Sequence, residues 1–125
     1  MKNEERRIMQ EIQFIVPAAL HDEMARLRNE RKMDFLESLT GMDWGEPAEN
    51  DAPDTVRGLG VVYHLESTTT GERIAVKTST LNRENPEIPS VCDLWKAAEL
   101  NEREVYDYYG IVFVLSLIHI SETTR

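Results

Sequence analysis

Two adjoining β-strand patterns constrain the fold of this chain more than any other feature. Along Leu59–Glu66, apolar residues alternate with small or polar ones, which predicts a strand with one apolar face. Arg73–Ser79 is rich in β-branched residues and predicts a partner strand. The segment Ser67–Gly71 between them has a length and composition that suit a turn. We therefore predict a β-hairpin over these residues.

The residues before the hairpin predict one more strand and two helices. Glu11–Val16 has the pattern of a short strand, with its apolar residues on one face. Ala18–Glu30 carries apolar residues at helical spacing and predicts an amphipathic helix, with Pro17 in its first turn. Asp34–Leu39 predicts a second, short helix, with Asp34 as its N-cap and Gly41 just past its end.

The residues that flank and follow the hairpin predict loops and further helices. Gly45–Asp54 and Asn82–Pro89 are rich in proline and polar residues and predict loops. Ser90, followed three residues later by an acid, predicts a helix start with an apolar stripe behind it. Asn101 is predicted to cap a further helix that Gly110 ends.

A last strand is expected at Ile111, which completes the order of elements. The order matches a split β-α-β-β-α-β arrangement. The predicted fold class is therefore α+β, an antiparallel sheet with helices on one face.

Composition and charge exclude several function classes. The length of 125 residues favours one domain. The net charge of -9 repels nucleic-acid phosphates and anionic lipids, so neither is an expected partner. Cys92 is the single cysteine, so the chain alone can form neither a disulfide framework nor a cysteine-ligated iron–sulfur cluster. The longest apolar run, Ile111–Ile118, is too short to span a bilayer, which predicts a soluble chain without direct membrane insertion.

Motifs for catalysis or cofactor binding are missing from the sequence. Gly58-Leu59-Gly60 begins like a dinucleotide fingerprint, but Tyr63 stands where the third glycine belongs. The three histidines have no metal-ligand spacing, and His64 is expected to be an ordinary exposed residue on the polar face of its strand. Cys92 is expected to be a small buried residue rather than a nucleophile.

The acids near the C-terminal end of the chain, within NEREVYDYYGI, allow two interpretations. In the first, they form a charged helix start, with Arg103 and Asp107 placed for a weak ion pair. In the second, two carboxylates converge on a pocket for proton transfer. Glu102 and Glu104 are two residues apart and so point away from each other on a helix. We therefore favour a structural or interface use, which the neighbouring Tyr106, Tyr108 and Tyr109 also suit.

The same stretch resembles the signature of the 30 kDa subunit of respiratory complex I, the C-type subunit of NADH-quinone oxidoreductase. That signature has ERE, a hydrophobic residue, an aromatic residue, Asp, two hydrophobic residues and Gly-Ile. The matching positions are Glu102, Arg103, Glu104, Val105, Tyr106, Asp107, Tyr108, Tyr109, Gly110 and Ile111. Ile88–Val91 and Leu39–Trp44 agree as well, so the resemblance extends over about Glu11–Phe113.

The resemblance implies a non-catalytic structural subunit in the peripheral arm of a proton-translocating NADH:quinone oxidoreductase. It implies packing against the 49 kDa, D-type subunit and the B-type subunit on the cytoplasmic side of the bacterial inner membrane. It implies no cofactor in this chain, with FMN, iron–sulfur clusters and quinone in other subunits. The signature or interface residues it assigns are Glu102, Arg103, Glu104, Tyr106, Asp107 and Gly110.

Two other functions stay open beside that interpretation. One is the equivalent subunit of a membrane-bound hydrogenase or ferredoxin-linked complex, which belongs to the same resemblance. The other is a free-standing regulatory module on a ferredoxin-like fold, because a fold alone does not determine a function.

The resemblance stops near Val114. Leu115–Arg125 has the sequence LSLIHISETTR, which resembles a translated sequencing adapter, LSLIHISEPTR, and differs from it at Thr123. We therefore predict a family domain over residues 1–114, incomplete at its C-terminus, followed by a non-native tail over 115–125 in which His119 has no role. The alternative is a genuine strand over Ile111–Ile120.

Overall fold

The computed structural model describes residues 11–115. Within that range the chain forms strands and helices in a single order along the sequence. They are β1 Glu11–Phe14, α1 Pro17–Glu30, β2 Phe35–Asp43, β3 Leu59–Glu66, β4 Arg73–Thr80, β5 Glu87–Pro89, α2 Ala98–Tyr109 and β6 Val112–Val114.

The main sheet has the order β1-β4-β3-β2, and the predicted hairpin forms its centre. β3 and β4 are antiparallel, with Tyr63 opposite Val76 and Leu65 opposite Ile74. β2 is antiparallel to β3, whereas β1 is parallel to β4 at the opposite edge. The α+β class is confirmed. The sheet is mixed because α1 connects β1 at one edge to β2 at the other edge, and β2, β3 and β4 then follow as antiparallel neighbours.

One face of the sheet carries the core. Val61, Tyr63 and Leu65 point to this face from β3 and are buried, as their alternation predicts. Both helices contribute to the same apolar cluster, which places them on that face. Their buried members are Leu20, Met24 and Leu27 from α1 and Ala98 and Val105 from α2.

Gly41 lies in β2, where α2 crosses closely over the sheet. A Cβ atom at this position would lie 2.5 Å from two ring carbons of Tyr109 and 3.1 Å from Val105 Cγ1. Only a glycine lets the strand and the helix approach this closely.

The predicted helix over Asp34–Leu39 is wrong, because these residues lead into strand β2. β2 pairs along its length with β3, and a short isolated helix cannot compete with such a ladder. Asp34 does not cap a helix. Its carboxylate accepts hydrogen bonds from Thr68 N at 2.9 Å and Thr68 Oγ1 at 2.5 Å, which holds the hairpin turn.

The segment after β4 differs from the prediction in three places. The loop over Asn82–Pro89 contains β5, which pairs in parallel with β6. Residues 92–97 form turns, so no helix begins at Ser90. Helix α2 begins at Ala98 and runs through Asn101, so Asn101 is not its N-cap.

Gly110 ends α2 as predicted. Its φ of 77° is left-handed, and its N–H donates to the carbonyl of Tyr106 at 2.8 Å. The expected last strand at Ile111 is β6, Val112–Val114. The adapter-like tail was predicted over residues 115–125, and all of it except Leu115 lies outside the described residues.

Candidate functional site

Glu102 is the one acid of the signature stretch that the fold buries, at 6% exposure. Its Oε1 accepts a hydrogen bond from Ser90 Oγ at 2.7 Å, and its Oε2 accepts one from Val91 N at 2.9 Å. Both oxygens of the carboxylate are therefore engaged by the segment that follows β5. Buried carboxylates accepting such bonds are strong local anchors.

Ser90 extends this anchor to β6. Its N–H donates to the carbonyl of Val114 at 2.7 Å, and its hydroxyl accepts from Cys92 N at 3.2 Å. Glu102, Ser90 and Val114 thus connect α2, the end of β5 and β6 in one hydrogen-bonded cluster. We call this the Glu102 cluster.

Burial dominates the electrostatics of Glu102. Desolvation raises the pKa of its carboxyl, and the bonds from Val91 and Ser90 act in the opposite direction. The charges of Asp93 and Glu99 also raise this pKa, and no basic side chain makes a salt bridge with Glu102 among the described residues. The Tyr63 hydroxyl is buried nearby; burial and the charge of Glu102 raise its pKa.

Further contacts hold the 90–97 segment from other sides. Trp95 Nε1 donates to the carbonyl of Met33 at 3.0 Å in the buried interior. His21 Nε2 lies 2.8 Å from a carboxylate oxygen of Asp93, which ties α1 to the segment. Cys92 is half-buried and packs against the core, so it is less buried than the sequence predicted.

The other charged signature residues point to solvent. Arg103, Glu104 and Asp107 are exposed, so Glu102 and Glu104 do point apart as predicted. The predicted Arg103–Asp107 ion pair is not formed among residues 11–115. The structure therefore brings no two signature carboxylates together for proton transfer.

The signature tyrosines divide between packing and exposure. Tyr106 is 52% exposed and Tyr108 is 83% exposed, on opposite flanks of α2. Tyr109 packs against the core, and its ring centroid lies 4.9 Å from that of Tyr108. Exposed aromatic side chains of this kind are typical of protein interfaces.

A shallow groove of about 270 Å³ runs between α2 and β6. Glu99, Arg103 and Tyr106 line it from the helix, and Val112 and Phe113 line it from the strand. Glu102 also lines the groove, and its carboxylate accepts the bonds from Ser90 and Val91. We call this surface the α2–β6 groove.

A larger cleft of about 490 Å³ lies between the end of β1, the end of β4 and the 47–57 loop. Phe14 and Leu81 supply exposed apolar walls. Its charged wall is internally paired, because Arg57 binds Asp51 with contacts of 2.6 and 2.9 Å. This pairing lowers the pKa of Asp51 to about 2.

The open face of the sheet holds the remaining predicted residues. Ile12 and Phe14 share this face, as predicted, and are 61% and 49% exposed. His64 is half-buried rather than exposed, with Nδ1 at 3.0 Å from Ser38 Oγ. Across residues 11–115, no three His, Cys, Asp or Glu side chains are grouped to hold a metal ion.

Sequence reasoning missed the burial of Glu102, although a signal was available. Glu102 lies four residues after Ala98 and three before Val105, which places it inside the apolar stripe of α2. An acid at such a position needs hydrogen-bond donors, and Ser90 and the free backbone N–H of Val91 supply them.

No helix within residues 11–115 has the length and apolar character needed to cross a membrane. The family model for the respiratory-chain NADH dehydrogenase 30 Kd subunit matches residues 14–115.

Similar proteins carry related names. A Bacteroides fragilis protein, named as a C/D subunit of NADH-quinone oxidoreductase, is 77% identical over 106 residues, which cover 85% of this chain and 20% of that protein. A Moorella thermoacetica protein, named as the C subunit of NADH-quinone oxidoreductase, is 37% identical over 101 residues, or 80% of this chain and 62% of that protein. The chain thus spans about a fifth of the length of the C/D relative.

A solved structure has the same fold. The trypsin-resistant fragment (1-134) of Nqo5 aligns with a TM-score of 0.66 at 33% identity. The alignment covers 80% of this chain and 75% of that fragment.

Proposed function

The chain belongs to the family of the respiratory-chain NADH dehydrogenase 30 kDa subunit, and we propose that it is a non-catalytic structural subunit of a proton-translocating NADH:quinone oxidoreductase. In this role it lies in the peripheral arm and supports electron transfer from NADH to quinone by packing against its neighbours.

The observation that supports a structural role most directly is the Glu102 cluster. A general acid or base must reach the proton it transfers, within hydrogen-bond distance of a substrate. Both oxygens of Glu102 instead accept bonds from Ser90 and Val91 of the same chain. Glu104 and Asp107 are exposed on other sides of the helix, so no paired site remains.

The names of relatives support the choice of partner. The Bacteroides fragilis relative is named as a C/D subunit, in which two units share one polypeptide. Fusion holds two units at high effective concentration, which is consistent with units that work in contact. We therefore propose the D-type unit as the main partner, with the B-type unit as a second neighbour.

We assign the redox cofactors of the complex, FMN, iron–sulfur clusters and quinone, to other subunits. Cys92 is the single cysteine, whereas an iron–sulfur cluster is held by several. We place the subunit on the cytoplasmic side of the bacterial inner membrane, held there by the complex.

Affinity purification of the complete protein from gently solubilised membranes tests this proposal. We expect the D-type and B-type units to co-purify with it in equal amounts, together with the NADH-binding subunits. Recovery with hydrogenase or ferredoxin-linked subunits would favour the related complexes instead. Recovery as an unassociated monomer would overturn the structural role and favour a free-standing module.

A further inference from the structure

We propose that the outer edge of strand β1 is a self-association surface, on which β1 of a second copy of this chain adds as an antiparallel strand. The main sheet of one copy then continues into the main sheet of the other. This inference concerns the free subunit and does not depend on the proposed function. Three features of β1 support it: an unpaired edge, exposed apolar side chains and a sequence that is complementary to itself.

The outer edge of β1 carries unpaired backbone groups. β1 comes first in the strand order β1-β4-β3-β2, so no strand of the described part of the chain pairs with its other side. Ile15 N donates to the carbonyl of Lys77 at 2.9 Å, and in a parallel ladder alternate residues face the same neighbour. The backbone groups of Gln13 and Ile15 therefore face β4, whereas those of Ile12 and Phe14 face outward. Such an edge is a template for pairing with another chain.

Exposed apolar side chains lie along the same edge. Ile12 is 61% exposed and Phe14 is 49% exposed, and both lie on the open face of the sheet, opposite α1 and α2. A lysine, a proline or a β-bulge often protects an edge strand from pairing. None of the three occurs in β1, which has the sequence EIQF and pairs with β4 in an unbroken register.

The sequence of β1 is complementary to itself about Gln13. In an antiparallel pair centred on Gln13, Ile12 of one copy stands opposite Phe14 of the second copy. Because the backbone groups of both residues face outward, they form the hydrogen-bonded type of pair, in which each residue donates to the other. Their side chains meet on the open face, and an aromatic residue opposite a β-branched one is a favourable cross-strand pair. The twofold symmetry forms this contact twice.

The charges at this edge allow the two strands to approach. Glu11 is the only ionisable residue of β1, and its two oxygens accept hydrogen bonds from Arg31 at 3.0 Å each. Gln13 Nε2 donates to the same carboxylate at 2.5 Å. In the proposed register Glu11 stands opposite Ile15 of the second copy, which keeps the two carboxylates apart. The net charge of -9 on each copy still opposes association over longer distances.

Strand β2, at the opposite edge of the sheet, is the competing surface. It is longer than β1 and begins at Phe35, which is 48% exposed. Its ladder with β3 is interrupted by a register shift between Leu36 and Ser38, and the exposed acid Glu37 lies at that interruption. Irregularities and charges of this kind protect an edge from pairing. β1 is therefore the better edge for a second copy.

The length of β1 determines the strength of the association. Its four residues, at about 3.3 Å each, present an edge of about 13 Å. Specific and stable interfaces bury at least about 1,200 Å² in total, which is a large area for so short an edge. We therefore expect a weak and reversible dimer, which assembly into a larger complex can displace.

Analytical ultracentrifugation of the 125-residue chain tests the proposal. We expect the dimer fraction to rise with protein concentration up to about 1 mM, the weak end of measurable affinities. It should rise further at about 0.5 M salt, which screens the repulsion between the two acidic copies. Phe14→Lys should weaken the dimer at least about tenfold, because lysine protects an edge strand. Phe35→Lys is the matched control, with the same exposure and the same change in charge, and should leave the dimer unchanged.

A disulfide tests the proposed register. In a Cys92→Ser background, Gln13→Cys places the cysteines of the two copies opposite each other in a non-hydrogen-bonded pair, with Cα atoms about 4.5 Å apart, which a disulfide can bridge. Phe14→Cys is the control, because its two copies lie diagonally, about 7–8 Å apart, beyond the reach of a disulfide. On mild oxidation we expect Gln13→Cys to form the linked dimer at least about tenfold faster, although position 14 is the more exposed.

Several outcomes would overturn the proposal. A chain that stays monomeric at every concentration has no self-association surface. If Phe35→Lys weakens the dimer as much as Phe14→Lys, or if Phe14→Cys crosslinks as fast as Gln13→Cys, the copies meet at another surface or in another register. Circular dichroism identifies a variant that fails to fold. In that case Phe14→Ala, which adds no charge, replaces Phe14→Lys, with Phe35→Ala as its control, and only Phe14→Ala should weaken the dimer.

Discussion

Replacing Glu102 by alanine should destabilise the fold through the loss of two buried hydrogen bonds. The substitution removes both acceptors of the Glu102 cluster and leaves Ser90 Oγ and Val91 N without their partner. A buried donor that loses its acceptor costs about 1–3 kcal/mol. Two donors lose their acceptor, and removal of a buried charge offsets part of that cost. We therefore expect the free energy of unfolding to fall by about 2–4 kcal/mol.

Tryptophan fluorescence follows this unfolding through both tryptophans, Trp44 and Trp95, and the Trp95 indole is buried and bonded to Met33. Urea unfolding of the 125-residue chain, followed by tryptophan fluorescence and circular dichroism, gives the free energy of unfolding. A loss of this size corresponds to a decrease in Tm of about 8–16 °C.

Two companion variants sharpen the interpretation. Glu104→Ala, at an exposed position on the same helix, should change stability by less than about 0.5 kcal/mol. Glu102→Gln keeps the shape and one acceptor for Val91, so it should lose about 1 kcal/mol or less. Equal stability of Glu102→Ala and Glu104→Ala would show that the buried hydrogen bonds of Glu102 do not stabilise the fold.

The pH dependence of Glu102→Gln gives an independent check. Because burial raises the pKa of Glu102 in the folded state, the folded chain binds more protons here than the unfolded chain. The contribution of this residue to stability is therefore largest at low pH and declines as pH rises from about 4 through the raised pKa. The difference in stability between the original chain and Glu102→Gln should follow that decline, and a rise with pH would contradict it.

Three further predictions concern other parts of the fold. Gly41→Ala should lower the free energy of unfolding, measured by urea unfolding, by about 1–3 kcal/mol, because the new methyl group clashes with the Tyr109 ring. Adding Tyr109→Ala to this variant should restore part of the loss. Gly110→Ala should cost about 1–2 kcal/mol in the same assay, because its φ is +77°, and Gly110→Asn should cost less; equal losses would count against backbone strain. Asp51→Asn should reduce, by the share that Asp51 contributes, the loss of stability on acidification from about pH 4 towards pH 2. The reason is that the Arg57 bond that depresses the Asp51 pKa stabilises only the ionised form; an unchanged acid unfolding profile would contradict this.

The hairpin and α1 could be predicted from the sequence because their patterns are local. The alternation along Leu59–Glu66 fixes which side chains face the core, and the spacing of Leu20, Met24 and Leu27 fixes the buried stripe of α1. The end of α2 could also be predicted from the local sequence, because a glycine readily adopts the left-handed conformation that Gly110 has.

The sequence-based predictions failed where contacts between residues far apart in the sequence determine the local structure. Phe35–Asp43 is a strand because β3 offers it a partner and because Gly41 fits beneath α2, neither of which the local pattern contains. Likewise, the Glu102 cluster depends on Ser90, twelve residues away.

We propose that this subunit supports the complex without performing chemistry. The most direct test is NADH:quinone oxidoreductase turnover of membranes carrying Glu102→Gln, Glu104→Gln or Asp107→Asn in the complete protein, normalised to the assembled D-type unit by quantitative mass spectrometry. We expect turnover per assembled complex within about twofold of the original, and any loss of total activity should come from a smaller amount of assembled complex. A decrease of about 100-fold or more at full assembly, as expected when a general acid or base is lost, would contradict it.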